Sequence, residues 1–167
     1  MLHRYTWEYS SPLGMITLAS DGEVLTGLWF RGQKYECAGL RENETETDES
    51  IVLLSARRWL DRYFAGEAPE RELPLAPRGS DFRQRVWREL MNVPYGDTVS
   101  YGELARRVGC ASARAVGNAV GHNPISLIIP CHRVVGADGR LTGYAGGTGR
   151  KAFLLALEKL HIGRQKP

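Results

Sequence analysis

Apolar and polar residues alternate along the first 30 positions of the chain in three short runs that are rich in β-branched and aromatic side chains. The runs are HRYTWEYS, GMITLAS and EVLTGLWF, and the turn-forming segments SPLG and SDGE separate them. Alternation between closely spaced turns is typical of antiparallel strands that follow one another along the chain. The pattern therefore predicts a three-stranded meander.

A segment of helical periodicity follows the acidic stretch ENETETDES, which we interpret as an exposed loop. The apolar positions that recur at the spacing of one helix face are Ile51, Leu54, Trp59 and Tyr63. Thr47 or Asp48 is expected to cap this helix, and Gly66 is expected to end it.

The composition changes after this helix. The segment EAPERELPLAPRG contains three prolines, which predicts a linker with a short strand within it. We therefore expect two domains, of residues 1–79 and 80–167.

After residue 79 the pattern is helical. In the segment SDFRQRVWRELMNVPYG, Asp81 and Gln84 have the spacing of a capping box. The apolar face of this helix consists of Phe82, Val86 and Leu90.

Two shorter helices are predicted within TVSYGELARRVGCASARAVGNAVGHN. Ser100 is expected to cap the first, which ends near Gly109. Ser112 is expected to cap the second, which ends near Gly121. Two short helices separated by a few residues are typical of a helix-turn-helix. Other pairs of packed helices share this layout, so DNA binding is one of two interpretations.

The second of these helices, SARAVGNAVG, has one charged residue, Arg114. Helices that identify bases in the major groove normally carry several arginine, asparagine or glutamine side chains. A helix of such small residues fits the minor groove better, with one side chain inserted between bases and little sequence preference. The alternative is a tightly packed core helix, and both hold if one face packs while the other binds.

Charge is distributed unevenly between the two halves. Residues 1–79 contain 9 Lys and Arg against 13 Asp and Glu, a net charge of −4. Residues 80–167 contain 13 against 6, a net charge of +7. A basic second half indicates binding to a polyanion. Uneven surface charge without any partner is the alternative.

Hydropathy and cysteine content exclude several classes of protein. No apolar run approaches the roughly 18 residues of a spanning helix, and the N-terminal MLHRYTWEYSSPLG has no signal-peptide core. We therefore expect a cytoplasmic protein with no membrane partner. Cys37, Cys110 and Cys131 are an odd number at wide spacing, which predicts reduced thiols and no disulfide framework.

Cys131 lies between a proline and a histidine in the segment NPISLIIPCHRVVGADGRLTGYAGG. The apolar run before it predicts a buried extended segment. A histidine base can convert a thiol to the reactive thiolate. Because neighbouring side chains of an extended chain point to opposite sides, we expect His132 to act on Cys131 through an ordered water. A carboxylate behind the histidine would orient it.

Other roles for Cys131 stay open on these residues alone. A free cysteine is often a small buried hydrophobe. A zinc site is disfavoured because the chain has no CxxC or HExxH motif. A thiol hydrolase of the Cys-His type would also need an oxyanion hole and an open pocket.

The motif PCHRV after GHNPISLII, followed by GYAGG and RKAFLLALE, resembles the active-site region of the O6-alkylguanine-DNA alkyltransferases. The resemblance covers residues 80–160 and extends more weakly to the N-terminal strands. It implies an α+β fold. A small N-terminal α/β domain would contain a three-stranded antiparallel sheet of ribonuclease-H type, and a mostly helical C-terminal domain would resemble a winged helix-turn-helix.

The resemblance also implies a reaction. Members of this family bind duplex DNA in the minor groove with little sequence specificity and flip out a guanine that carries an alkyl group on O6. They then transfer that group irreversibly to a cysteine, once per molecule. No cofactor is implied, and a monomer is expected in solution. Activity on O4-alkylthymine and cooperative assembly on DNA are left open.

Carried over position by position, the resemblance makes Cys131 the alkyl acceptor, His132 its water-mediated base and Glu158 the group that orients the base. Asn123 would brace the turn before the active-site segment. Tyr101 would help to rotate the target phosphate and would donate a proton to the departing guanine.

The same correspondence gives Arg114 the role of inserting into the base stack in place of the flipped nucleotide. The residues expected to contact DNA are Ser100, Tyr101, Arg114, Ala115 and Gly117. The residues expected to line the substrate pocket are Pro130, Val134, Tyr144, Ala145 and Gly146.

The chain departs from the family pattern at several positions. Ser126 stands where many members have a second proline, and Thr142 and Gly143 stand where some have glycine and asparagine, which affects loop rigidity and pocket width. The N-terminal zinc ligands of some members are absent, since only His3 lies there, so we expect no metal. A second function stays open, that of a helix-turn-helix lesion sensor or regulator in which Cys131 is structural.

Overall fold

The computed structural model describes residues 3–40, 46–47 and 50–162. The predicted meander is confirmed as an antiparallel sheet of β1 (Tyr5–Ser11), β2 (Gly14–Ser20) and β3 (Leu25–Phe30). A two-residue strand, β4 (Glu46–Thr47), pairs in parallel with β1 and gives the order β3-β2-β1-β4. The sequence did not predict β4, because its residues lie in the acidic stretch that we interpreted as a loop.

Helix α1 (Ile51–Phe64) begins later than predicted. Its cap is Ser50, whose hydroxyl accepts a hydrogen bond from the Leu53 amide, so the prediction of Thr47 or Asp48 is wrong; Asp48 itself lies outside the described residues. The predicted apolar face is wrong at two positions, since Ile51 is 84% exposed and Leu54 is only partly buried. The buried residues are Val52, Leu53, Ala56, Trp59, Leu60 and Tyr63.

The end of α1 agrees with the prediction, and the following linker agrees with it in part. Gly66 has a φ of +90°, in the left-handed region that favours glycine, and it turns the chain away from the helix. The linker then runs beside β3, where Leu75 forms a parallel bridge with Leu25. The linker therefore contains one isolated bridge in place of the short strand that was expected.

The described part of the second half, residues 80–162, contains four α-helices: α2 (Asp81–Leu90), α3 (Tyr101–Arg107), α4 (Ala113–Gly121) and α5 (Thr148–His161). The predicted caps Ser100 and Ser112 are confirmed, since each hydroxyl accepts an amide hydrogen of its first turn. The predicted capping box at Asp81 is wrong. Ser80 caps α2, and the side-chain amide of Gln84 donates to the Pro77 carbonyl instead.

Two short strands, β5 (Val99–Ser100) and β6 (Val134–Val135), pair in parallel beside the α3–α4 helix-turn-helix. With the N-terminal sheet, these elements confirm the expected α+β fold. Among the described residues, no helix is long and apolar enough to span a membrane.

The segment before Cys131 is buried as predicted, but it is not extended. Turns lead into a single 3₁₀ helix, Cys131–Arg133. Asn123 explains the difference, because its side chain donates to the Ile129 carbonyl at 2.8 Å and accepts from the Ile125 amide at 3.0 Å. A side chain that satisfies the backbone locally replaces the partner strand that an extended segment would need.

One hydrophobic core runs through both halves and joins the sheet, α1 and the C-terminal helices. Trp87 on α2 is a central member, and its indole N–H donates to the Ala119 carbonyl on α4 at 2.8 Å. This bond joins α2 to α4 within the core.

We expect Trp87→Phe to lower the free energy of unfolding by about 1 kcal/mol more than Trp59→Phe, because only Trp87 loses a hydrogen bond. Trp59 is the matched control, since it is also buried and its indole nitrogen has no partner among the described residues. Denaturant unfolding of both variants measures the difference. Equal losses would show that the Trp87 bond contributes nothing.

Candidate active site

Cys131 opens the 3₁₀ helix directly after Pro130, and its side chain is 3% exposed. Burial raises the pKa of the thiol, against the opposing effects of the nearby Asn123 amide, the Lys151 charge and the Ser126 hydroxyl. The resting side chain is therefore a protonated thiol. It needs a base before it can act as a nucleophile.

His132 lies fully buried beside Cys131 in sequence, but no hydrogen bond joins the two side chains. Its Nε2 lies 2.6 Å from Oε2 of Glu158, so Nε2 carries the proton and Nδ1 is the basic atom. Nδ1 has no hydrogen-bond partner within the described part of the chain. Burial lowers the pKa of His132, although Glu158 opposes this, so the imidazole is neutral and able to accept a proton.

Glu158 accepts five hydrogen bonds. They come from His132, from the Tyr63 hydroxyl at 2.7 Å, from Nε and Nη2 of Arg133 at 2.8 and 3.2 Å, and from the Gly96 amide at 3.0 Å. Burial alone would raise the pKa of this carboxyl, but the bonds from His132 and Arg133 and the Arg133 charge outweigh it and hold the pKa well below its usual range. Glu158 is therefore a permanent anion.

The sequence singled out Glu158 but missed two of its partners. Arg133 is buried and also donates to the Val93 carbonyl, and the sequence analysis assigned it no role. Tyr63 was interpreted as a core residue of α1. Nothing in its helical spacing indicates that its hydroxyl reaches a residue 95 positions away.

Lys151 is a further site residue that the sequence analysis missed. It is fully buried, its ammonium donates to the Thr142 carbonyl at 2.9 Å, and the same group lies 5.8 Å from the centre of the Tyr101 ring. Burial lowers its pKa to about 8, against the effect of Cys131. The signal was present, since Lys151, Leu154 and Glu158 recur at the spacing of one buried helix face.

Two tyrosines lie close enough to Cys131 for a thiolate there to raise their pKa values further. Burial raises the pKa of Tyr101, whose hydroxyl donates to the Thr142 carbonyl at 3.1 Å. Burial raises the pKa of Tyr144 still further, and its hydroxyl has no partner among the described residues. Gly146 makes room for Tyr144, because a Cβ at this position would lie 2.6 Å from the ring.

A cavity of about 190 Å³ opens between α4 and the loop of Tyr144. Tyr144 and Ala145, which we expected in the substrate pocket, line it, together with Lys34 and Tyr35 from the loop after β3. Three other expected pocket residues are not among its lining residues: Pro130, Val134 and Gly146. Pro130 and Val134 are buried on either side of the 3₁₀ helix.

The residues expected to contact DNA lie around the helix-turn-helix. Arg114 is exposed on the first turn of α4, and Ala115 follows it. Gly117 on α4 faces the Tyr101 ring, and a Cβ there would lie 3.7 Å from the ring, in ordinary van der Waals contact. Ser100 caps α3. No cluster of three or more potential metal ligands occurs among residues 3–40, 46–47 and 50–162.

Replacing Glu158 by Gln is expected to lower the free energy of unfolding by about 3–5 kcal/mol at neutral pH, because Arg133 would be left buried without its counter-charge. A carboxyl with a depressed pKa stabilises the fold fully above its ordinary pKa of about 4.3 and loses this effect as the pH falls. The deficit of Glu158→Gln should therefore be constant from about pH 6 to 8 and shrink below about pH 4.3.

Glu67→Gln is the control for this measurement, because its ion pair with Arg62 is exposed and should be worth less than about 1 kcal/mol. Denaturant unfolding across this pH range gives both values. A deficit that is the same for the two variants, or that acid does not reduce, would contradict the assignment of a charged buried Glu158.

Family models, related proteins and similar solved structures all indicate the same family for this chain. The ribonuclease-like domain of 6-O-methylguanine DNA methyltransferase matches residues 4–77, and the DNA binding domain of the same family matches residues 81–160. A methylated-DNA–protein-cysteine methyltransferase of Mycolicibacterium paratuberculosis is 51% identical over 152 residues, which are 90% of each chain. One from Methanosarcina acetivorans is 45% identical over 90% of this chain and 95% of its own. The crystal structure of Mycobacterium tuberculosis OGT in complex with DNA covers 94% of each chain, with 47% identity and a TM-score of 0.86. The chain therefore belongs to the 6-O-methylguanine DNA methyltransferase family.

Proposed function

We propose that this protein repairs duplex DNA by transferring the alkyl group of O6-alkylguanine irreversibly to Cys131, once per molecule. The observation that carries the proposal is the buried pair of His132 and Glu158 next to Cys131, in which a neutral histidine keeps its basic Nδ1 without a partner among the described residues. The relatives named as methylated-DNA–protein-cysteine methyltransferases, and the similar structure that contains DNA, support the same function.

The chemistry begins with the proton on Cys131. His132 Nδ1 accepts it through a bridging water, and Glu158 stabilises the resulting imidazolium across the 2.6 Å bond to Nε2. The positive charge of Lys151 favours the thiolate that remains. Asn123 holds the turn that presents the thiol, through its bonds to Ile125 and Ile129.

The thiolate sulfur then attacks the alkyl carbon. A C–S bond forms as the bond from the carbon to O6 breaks, and its electron pair passes to the guanine. Tyr101 returns a proton to the base, and its raised pKa means that it still carries this proton at neutral pH. The thioether has no acidic proton to lose and no second nucleophile to displace it, so the molecule is used once.

Base flipping brings the guanine past Tyr144 to Cys131, which does not itself line the cavity between α4 and the loop of Tyr144. The exposed Arg114 fills the gap in the base stack, and the small residues of α4 lie in the minor groove without reading the sequence. Ser100, Ala115 and Gly117 contact the backbone, and the net charge of +7 in residues 80–167 adds phosphate affinity.

We also propose how the chain is divided into domains, how its pocket is built and where the protein acts. Residues 1–79 and 80–167 are the two domains, and the protein acts as a monomer. The substrate pocket combines Tyr144 and Ala145 with Gly146, Pro130 and Val134 around the thiol. A cytoplasmic location is supported by the reduced thiols of Cys110 and Cys131.

Incubation with duplex DNA that contains O6-methylguanine is expected to add one methyl group to the protein, located on Cys131 and not on Cys37 or Cys110. Mass spectrometry of the intact chain and of its peptides measures this. Cys131→Ser is expected to abolish the shift. Unchanged mass in the native chain would favour a lesion sensor with a structural cysteine, and many turnovers on an acyl ester would favour a thiol hydrolase.

Arg114→Ala is expected to slow transfer from duplex DNA by at least about tenfold, because the gap left by the flipped base is no longer filled, at a cost of a few kcal/mol. Transfer from the free base O6-methylguanine should stay near the native rate. Arg58→Ala, which removes an exposed charge from α1, is the matched control and should change neither rate. Equal duplex rates for Arg114→Ala and the native chain would remove this role from Arg114.

A further inference from the structure

The N-terminal half has no role in the proposed chemistry so far. We propose that Tyr63, on α1 of that half, is a positioning residue for alkyl transfer, whose hydroxyl holds Oε2 of Glu158 against Nε2 of His132. This inference rests on the proposed function and adds a fourth residue, from a different part of the chain, to the relay.

The geometry is a closed triangle of buried polar atoms. The Tyr63 hydroxyl lies 2.7 Å from Oε2 of Glu158, and the same oxygen lies 2.6 Å from Nε2 of His132. The third side, from the hydroxyl to Nε2, is 3.5 Å. All three side chains are fully buried, so water does not compete for these bonds.

A phenylalanine at position 63 would fill the core equally well, so packing alone does not account for the hydroxyl. Burying a phenol costs free energy unless it finds an acceptor. Tyr95 shows that a phenol in this region does not bond to Glu158 by default. Its ring packs edge-on against Tyr63 at 6.2 Å, and its hydroxyl is buried with no partner in the described part of the chain.

The hydroxyl changes what Glu158 does to His132. Oε2 accepts from three donors, Tyr63, His132 and Nη2 of Arg133, and each donor makes the oxygen a weaker base toward the others. With Tyr63 in place, the shared proton stays on Nε2, and Nδ1 remains the only basic atom of the ring. Without the phenol, Oε2 would attract the Nε2 proton more strongly and stabilise the imidazolium, which raises the pKa of His132.

Other charges act on His132 from the elements that surround it. Arg133, beside it in the 3₁₀ helix, and Lys151, on α5, both oppose protonation of the imidazole, and Glu158 favours it. Tyr95, after α2, lies near Glu158 and carries no charge at neutral pH, because burial raises its pKa. A loss of the Tyr63 donor leaves these groups in place, so its effect on the histidine can be isolated.

The test compares Tyr63→Phe with Tyr95→Phe. The second variant removes a buried hydroxyl that has no hydrogen-bond partner among the described residues. Single-turnover transfer from duplex O6-methylguanine DNA is followed from pH 5 to 9. The transfer rate of Tyr63→Phe is expected to be about tenfold lower on the plateau of the pH–rate profile, which is a part of the rate that a general base contributes. The acidic limb of its profile should move to higher pH. Tyr95→Phe should stay within about twofold of the native rate, with the limb unmoved.

A second replacement preserves the shape of the side chain. Difluorotyrosine at position 63 is a stronger donor, so it should move the acidic limb to lower pH, opposite to Tyr63→Phe. An acidic limb that neither replacement moves would overturn the inference and leave Tyr63 a structural residue. If the native chain itself transfers no alkyl group, the proposed function fails first, and this inference falls with it.

Discussion

The interaction on which the rest of the structure depends is the burial of a charged Glu158 with five hydrogen bonds. A buried carboxylate without partners would cost several kcal/mol and would take up a proton instead. Here the partners come from α1, from the turn after α2 and from the 3₁₀ helix that carries Cys131. The site and the junction between the two halves of the chain are therefore stabilised by the same side chain.

This arrangement also determines how the thiol is kept before use. Burial raises the pKa of Cys131 and lowers that of His132, so the resting pair is a neutral thiol beside a neutral imidazole. Glu158 stays ionised and does not take up the proton of the thiol. It stabilises the imidazolium that forms when the thiolate reacts with a substrate. A thiol kept in this protonated form is protected from oxidants and from adventitious electrophiles, because both kinds of reagent react with the thiolate.

The sequence predicted elements whose signals are local. Alternation identified three strands, and Ser100 and Ser112 identified the helix-turn-helix, because a cap bonds within its own first turn. Prediction failed where a side chain elsewhere decides the local structure. The segment before Cys131 has the composition of a strand, yet the Asn123 amide stabilises turns there.

The same reasoning explains the site residues that were missed. Motif resemblance identified Cys131, His132 and Glu158 because their types and spacing are unusual. Tyr63 and Lys151 have ordinary helical spacing, and only the packing of α1 and α5 around the 3₁₀ helix gives them their partners. Contacts between positions 95 residues apart are not encoded in any local pattern.

Burial of the reactive thiol has one more consequence. An enzyme that turns over must release its product, so its nucleophile needs an open path and a step that regenerates it. Cys131 is 3% exposed and is flanked by Tyr101, Tyr144 and Lys151, which leaves little room for a second reagent to reach the sulfur. A protein that reacts only once needs a path for a single flipped base, but it needs no step that regenerates the thiol. The tight packing that would handicap a hydrolase therefore suits a stoichiometric acceptor, and it allows the same buried charges to serve both the fold and the reaction.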